Sequence, residues 1–186
     1  SITRHDTHVE IVSSGEQMKF DEIIVACHSD QALAILKDPS SAEEAILGAL
    51  AYQENEVTLH WDAKLMPQRK KAWASWNFLA AQPAADSLPI VTYCMNILQG
   101  IGSIEDPKPL LVTLNAGQLI DPDKIIEQYR YAHPVYSLES SAAQQRRNEI
   151  CGADRVHFCG AYWYSGFHED GVRSALDVCQ HFGIEL

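Results

Sequence analysis

The chain has 186 residues, 46% of them hydrophobic and 21% charged, and a net charge of −11 at pH 7. This composition fits a soluble globular protein and excludes a disordered one. The acidic balance argues against a general nucleic-acid binder or an anionic membrane surface as partner, since both need a basic face. No apolar run approaches the roughly 18 residues of a membrane span, and no signal-peptide pattern opens the chain. A cytoplasmic location is the expectation. The chain starts at Ser1 rather than Met, which suggests a trimmed chain or a piece of a longer protein.

In chain order, residues 8–13 (HVEIVS) alternate apolar and polar, Ser14-Gly15 makes a turn, and residues 17–20 resume the alternation. The pattern predicts a β-hairpin. Residues 21–27 (DEIIVAC) predict a strand buried on both faces, as in a parallel sheet. His28-Ser29-Asp30 then starts a helix over residues 31–36, and a second helix is expected over 41–50, with Glu43 and Glu44 at its acidic start.

The middle changes character. Residues 56–61, 72–78, 90–98 and 110–115 read as strands, separated by Pro67, Pro83, Pro89, Gly100, Gly102, Pro107 and Pro109. Several strands at this spacing predict an antiparallel sheet. Asp121-Pro122-Asp123 starts a short helix, 128–133 is a further strand, and 137–148 is a helix with Gln144, Gln145, Arg146 and Arg147 on its exposed face. Residues 155–159 form a short strand. The last helix runs from about 168 to 181, with Val172, Ala175, Leu176, Cys179 and Phe182 as its apolar stripe. Gln68-Arg69-Lys70-Lys71 reads as a solvated basic loop. Strand–helix pieces thus lie at both ends around a sheet-rich block, an α/β (α+β) plan with a mostly antiparallel insertion. The division expected is 1–36 with 150–186, against 37–149.

Cys27, Cys94, Cys151, Cys159 and Cys179 are odd in number, irregularly spaced and contain no CxxC. They read as buried free thiols, and neither a disulfide framework nor a metal site is expected.

The segment FCGAYWYSGFHEDGVRSALDVC, residues 158–179, is the most informative. It reads as strand, Gly-containing turn, then helix start. Gly160 allows close backbone approach, and the N–H groups from about Phe167 to Gly171 lack helical partners. Such a start attracts an anion or a partly negative oxygen. Glu169 and Asp170 can instead serve as its own acidic caps. From the residues alone both readings stand.

The same segment resembles the C-terminal flavin-binding segment of the flavin-containing amine oxidase superfamily. Phe158, Gly160, Ser165, Gly166, Phe167, Glu169, Val172, Arg173 and Ala175 carry the match. The chain is also similar to a bacterial amine-oxidase-like group described as predicted NAD/FAD-binding proteins. That similarity rests on ACHSDQAL (26–33), WASWN (73–77), VTLN (112–115), HPVY (133–136) and GFHEDG (166–171), which together span nearly all of the chain.

The resemblance implies a portion of a split FAD-binding domain (1–36 and 150–186) with an inserted substrate-domain sheet. It places Ala26, Cys27 and His28 near the dinucleotide, and Gly160 and Ala161 near the ribityl–phosphate part. Ser165 and Gly166 are implied to be cofactor-binding, Phe167 would face the flavin, and the amides of Phe167, His168 and Glu169 would meet the pyrimidine end of its ring. The family's N-terminal GxGxxG is absent from this sequence, which implies that this chain covers the later portion of such a protein and is inactive alone. The implied activity is hydride transfer from an organic substrate to FAD, with His168 the candidate catalytic group and either an amine or a fatty acyl chain as substrate. Trp73, Trp76, Tyr93, Tyr162, Trp163 and Tyr164 invite an amine-cage reading, although strand aromatics are ordinarily packing residues. The competing class is a cofactor-free structural or interaction domain. A hydrolase is set aside because Ser165-Gly166 is not a GxSxG elbow. An exposed sheet edge in a split domain offers a surface through which a homodimer could form.

Overall fold

The computed structural model describes residues 1–80 and 88–184. Its elements begin with β1 (Ile2–Arg4), β2 (Val9–Ser13), β3 (Glu16–Phe20), β4 (Ile23–Val25), α1 (Ser29–Ile35) and α2 (Ser41–Ala49). Then come β5 (Tyr52–His60), β6 (Trp76–Leu79), β7 (Ile90–Cys94), α3 (Met95–Leu98), β8 (Leu111–Leu114) and β9 (Ile125–Pro134). The chain closes with α4 (Leu138–Gln145), β10 (Val156–Phe158) and α5 (His168–His181). Two compact units result, Ser1–Gln53 with Pro134–Leu186, and Glu54–His133. Pro83, expected as a turn residue, lies outside the described residues.

In the first unit, β1, β2 and β3 form an antiparallel sheet in that order. Ser14 and Gly15 both have positive φ, 50° and 84°, as a two-residue hairpin turn matched to strand twist requires. β1 was not expected. Its three residues carry little periodicity, and it is held because Ile2 and Val9 reach the core. β4 pairs in parallel with β10, Ile23 opposite Val156 and Val25 opposite Phe158. The expectation of a strand buried on both faces is corrected here. Ile24 is 49% exposed, because β4 has one strand neighbour among the described residues.

α2 starts with a capping box. The Glu43 N–H donates to the Ser40 hydroxyl, and the Ser40 N–H donates to the Glu43 carboxylate. The same carboxylate is buried and receives the Arg4 guanidinium at 2.9–3.0 Å, tying β1 to α2. Ile46 and Leu47 of α2 and Ala143 of α4 join Val25, Ile150 and Phe158 in one core. That is why both helices belong to this unit rather than to the inserted region expected over 37–149.

α5 also differs from expectation. Its buried residues are Ser174 and Val178, one turn apart, whereas Val172 and Phe182 are exposed. The helix is held by a polar contact at Ser174, described below, which an apolar-stripe reading cannot detect. α4 ends at Gln145, short of the expected 148, and continues as a 3₁₀ turn, Arg147–Glu149.

The second unit is a five-stranded sheet in the order β6-β7-β8-β5-β9. Two predicted strands are shorter. Residues 95–98 turn into α3 because the Asn96 side chain accepts from the Leu110 N–H and donates to the Ile101 carbonyl. Residues 70–72 form a 3₁₀ turn, so β6 starts only at Trp76. The basic loop is partly fastened, with the Lys70 ammonium donating to the Ile104 carbonyl at 2.8 Å.

Register across β6, β7, β8 and β5 sorts the sheet into rows. Phe78, Val91, Leu114 and Val57 form one row, and Trp76, Tyr93, Val112 and Leu59 another on the same face. On the opposite face lie Asn77, Thr92, Thr113 and Thr58. The Thr113 hydroxyl is 2.8 Å from Thr92 Oγ1 and 2.7 Å from His60 Nε2. His60 Nδ1 accepts the Asp62 N–H, so the ring is neutral with its proton on Nε2.

Burial pushes the His60 imidazole down to about 4 from 6.5. Its folded pKa lies below the unfolded one, so the unfolded chain binds the proton first. Stability is expected to be complete above about pH 6.5 and to fall by up to about 3 kcal/mol as pH drops toward 4. Denaturant unfolding at pH 7 and pH 4.5 checks this, with His60→Gln showing the flatter profile.

Candidate functional site

The site begins where β4 and β10 end side by side. Beyond the last ladder pair the Cys159 N–H donates to the Val25 carbonyl at 3.1 Å. Ala26-Cys27-His28 and Cys159-Gly160-Ala161 therefore leave the same end of one parallel pair. The carboxyl ends of parallel strands are where open α/β sheets bind ligands. His28 stacks on Tyr52 at 4.1 Å between centroids, 12° from parallel. Its own N–H is bonded to the Gln31 side chain.

Gly160 is required by packing. A Cβ there would lie 2.3 Å from the Tyr162 ring. Its N–H donates to Ser174 Oγ at 2.8 Å, and that hydroxyl donates to the Gly171 carbonyl. Ala161 stands against Gly171. Gln144 donates to the carbonyls of both Tyr162 and Tyr164 at 2.8 Å. Arg147, 9% exposed, donates to the Asp177 carboxylate and to the carbonyls of Phe158 and Ser174. Gln144 and Arg147 thus face inward, correcting their expected place on the exposed face of α4. Of the two residues named with them, Gln145 and Arg146, both are exposed, and Arg146 is paired with Glu149.

The Tyr162 hydroxyl is buried without a hydrogen-bond partner. Burial raises its pKa, with Tyr52, Cys159 and Cys27 close enough to add to the shift. Burial likewise pushes the Tyr52 hydroxyl up to about 12. An unpaired buried hydroxyl is costly and calls for an explanation, such as a ligand or water.

At the start of α5 the Phe167 N–H is taken by the Asp170 carboxylate at 3.0 Å. Asp170 rather than Glu169 is the cap, and the expectation that the Phe167 amide is available to a ligand is corrected. The N–H groups of His168 and Glu169 have no acceptor within the helix. Ser165, Phe167, His168 and Glu169 are exposed. Gly166 has φ +88°, and a Cβ on it would lie 2.2 Å from the Tyr136 hydroxyl. Tyr136, Ser165, Asp170 and Arg173 help to line a cleft of ≈ 910 Å³. The aromatic residues named for a cage divide between the two units, Trp73, Trp76 and Tyr93 in the second and Tyr162, Trp163 and Tyr164 in the first. Trp73 donates its indole N–H to the Pro67 carbonyl, Tyr162 and Trp163 are buried, and the Arg173 guanidinium covers the Tyr164 ring at 4.1 Å.

The structure brings the expected residues together as two groups, 26–28 with 160–161, and 165–169 at the start of α5, of which Ser165 lines the cleft. Sequence reasoning named neither Tyr52 nor Ser174, took Gln144 and Arg147 as surface residues, and included Tyr136 only within HPVY. Tyr136 carried a signal, as the last residue of HPVY. The others carried none, since each acts on a residue far away in the chain.

No family model matches the chain, and no curated protein matches it. Solved structures match its fold. One is a CLA-producing fatty acid isomerase from P. acnes, at TM-score 0.67 and 15% identity, covering 98% of this chain and 46% of that one. Another is a reduced UDP-galactopyranose mutase, at TM-score 0.60 and 13% identity, covering 100% and 46%. A third is the cyclohexylamine oxidase from Brevibacterium oxydans, at TM-score 0.55 and 11% identity, covering 98% and 48%. The chain spans about half the length of these enzymes and shares the mixed α/β fold of that half, with its antiparallel sheet. Among the described residues no helix is long and apolar enough to cross a membrane.

Gly166→Ala is expected to lose about 2 kcal/mol, from left-handed backbone and from the clash with Tyr136. In a Tyr136→Phe background the loss should shrink, because the hydroxyl is the nearest atom. A double-mutant cycle of thermal unfolding checks this, and strict additivity would show that the two residues do not meet.

Proposed function

We propose that this chain supplies a substrate-domain sheet and a C-terminal flavin-contacting helix to an FAD-dependent oxidoreductase of amine-oxidase-like fold. The observation that carries the reading is the parallel β4–β10 pair, whose shared end sets Ala26–His28 beside Gly160 and Ala161. In this reading the first unit is the portion of a split FAD-binding domain, and the second is the substrate-domain sheet.

The residues present fit such a group. The orphaned Tyr162 hydroxyl is a buried polar atom without a partner, and the α5 start keeps two N–H groups for an acceptor. FAD, when bound, accepts the hydride. The protein's contribution is positioning and charge. The His168 and Glu169 amides, with the positive end of α5, favour negative charge on whatever they meet. Asp170 holds the Phe167 N–H and fixes the helix start. Gly166 keeps the chain close to Tyr136. Exposed His168 is the side chain available to hold or pass a proton. The missing GxGxxG leaves the pyrophosphate to residues outside this sequence.

For the substrate, a fatty acyl chain is supported over an amine. Of the aromatic side chains that a cation would need, Tyr162 and Trp163 are buried, Trp73 is hydrogen-bonded to Pro67, and Tyr164 already faces Arg173. The apolar rows of the second unit end in Trp76 and Phe78, 54% and 68% exposed, which suits a long apolar molecule.

Titration with FAD followed by flavin fluorescence tests the proposal. Saturable one-to-one quenching is expected, weakened roughly tenfold or more, about 1.4 kcal/mol, in a folded Gly166→Trp variant. Unchanged fluorescence with folded chain, or quenching indifferent to the substitution, would contradict it.

A further inference from the structure

We propose that His5, His8 and Glu10 form a binding site for a first-row divalent cation, for which Zn²⁺ is the reference ion. The turn between β1 and β2 is closed by the His5 N–H donating to the His8 carbonyl at 2.9 Å. It stacks the two imidazoles, with centroids 4.5 Å apart and planes 14° from parallel. Glu10 follows His8 by two residues along β2 and so shares its face. His5 Nε2 lies 3.9 Å from Glu10 Oε2, and one ligand atom from each of the three residues lies within 4.8 Å of the other two.

Two imidazoles and a carboxylate suit Zn²⁺, and ions such as Cu²⁺, Ni²⁺ and Fe²⁺ share that preference. Ligand atoms about 2.0–2.1 Å from a tetrahedral ion stand roughly 3.3 Å apart, so a small contraction completes the set. The His5 side chain is 42% exposed and free to make it. Three protein ligands leave the fourth position to water.

The surrounding contacts suit metal ligation. Thr7 Oγ1 is 3.3 Å from His8 Nδ1, while His8 Nε2 is buried without a hydrogen-bond partner. With the proton on Nδ1 directed to Thr7, the Nε2 lone pair is left for an ion. The Gln17 amide, from β3, donates to Glu10 Oε2 and orients the carboxylate. An ordinary His5–Glu10 ion pair would leave His8 Nε2 unsatisfied. The sequence signal is His-x-x-His-x-Glu, which cysteine spacing does not reveal.

A second group, Glu22, His157 and His181, serves as the internal control. There His157 Nε2 and Glu22 Oε2 are 2.5 Å apart, a hydrogen bond rather than the roughly 3.3 Å separation of two ligands on one ion.

The test is titration of chelator-treated protein with Zn²⁺ by calorimetry, with Co²⁺ absorption as the spectroscopic check. One equivalent should bind. His5→Ala, His8→Ala and Glu10→Gln should each lower affinity at least about tenfold, and Gln17→Leu about tenfold. His181→Ala should leave binding unchanged. Zn²⁺ should raise the Tm of the unsubstituted protein, while His8→Ala alone should leave the metal-free Tm unmoved, which separates lost ligation from lost folding. Absence of binding, binding that survives in His8→Ala, or binding lost in His181→Ala would overturn the proposal.

Discussion

The candidate site depends on one contact between distant parts of the chain, the parallel pairing of β4 with β10. Three residues pair on each side, and their separation in sequence exceeds 130 residues. Parallel strands need a long crossover, and here the crossover contains an entire second unit. Without that pairing, Cys27 and Gly160 have no reason to be neighbours. The entropy of closing so long a loop grows only slowly with its length, so an inserted sheet is thermodynamically tolerable. The core that offsets it is built from both ends of the chain, with Val25, Ile46 and Leu47 meeting Ala143, Ile150 and Phe158.

Around this pair the structure fixes backbone with buried side chains. Arg147 binds two carbonyls and the Asp177 carboxylate, Gln144 binds two carbonyls, and Ser174 holds the Gly160 N–H. A buried guanidinium is costly to desolvate and is tolerated because its donors are satisfied. The effect is to hold the 160–164 segment against α4 and α5, with the Tyr162 hydroxyl buried without a partner and two N–H groups at the α5 start without an acceptor in the helix. Preorganised donors of this kind stabilise charge without reorganising.

The elements that carry strong local signals were legible in the sequence. The Ser14-Gly15 hairpin, the acidic start of α2 and the span of α5 follow from turn chemistry, the charge preference of helix starts and flanking glycine. β1, the end of β7 and the inward face of α4 were not legible. β1 depends on two residues reaching a core that forms elsewhere. The turn after β7 depends on Asn96 bonding a backbone amide 14 residues away. Arg147 looks like a surface residue until its carbonyl partners are known. At the candidate site, the family resemblance implied 26–28, 160–161 and 165–169, and the sequence did not show the choice of Asp170 over Glu169 as cap. Either acid suits a helix start, and only side-chain geometry separates them.

The central claim is that the shared strand end and the α5 start form one ligand surface for FAD. The most direct measurement is the backbone amide NMR spectrum of the chain as FAD is added. The account predicts the largest shifts at His168, Glu169 and residues 26–28, with the Phe167 amide, already bonded to Asp170, moving less. Shifts confined to the β6–β9 sheet, or none at these amides at saturating FAD, would contradict it.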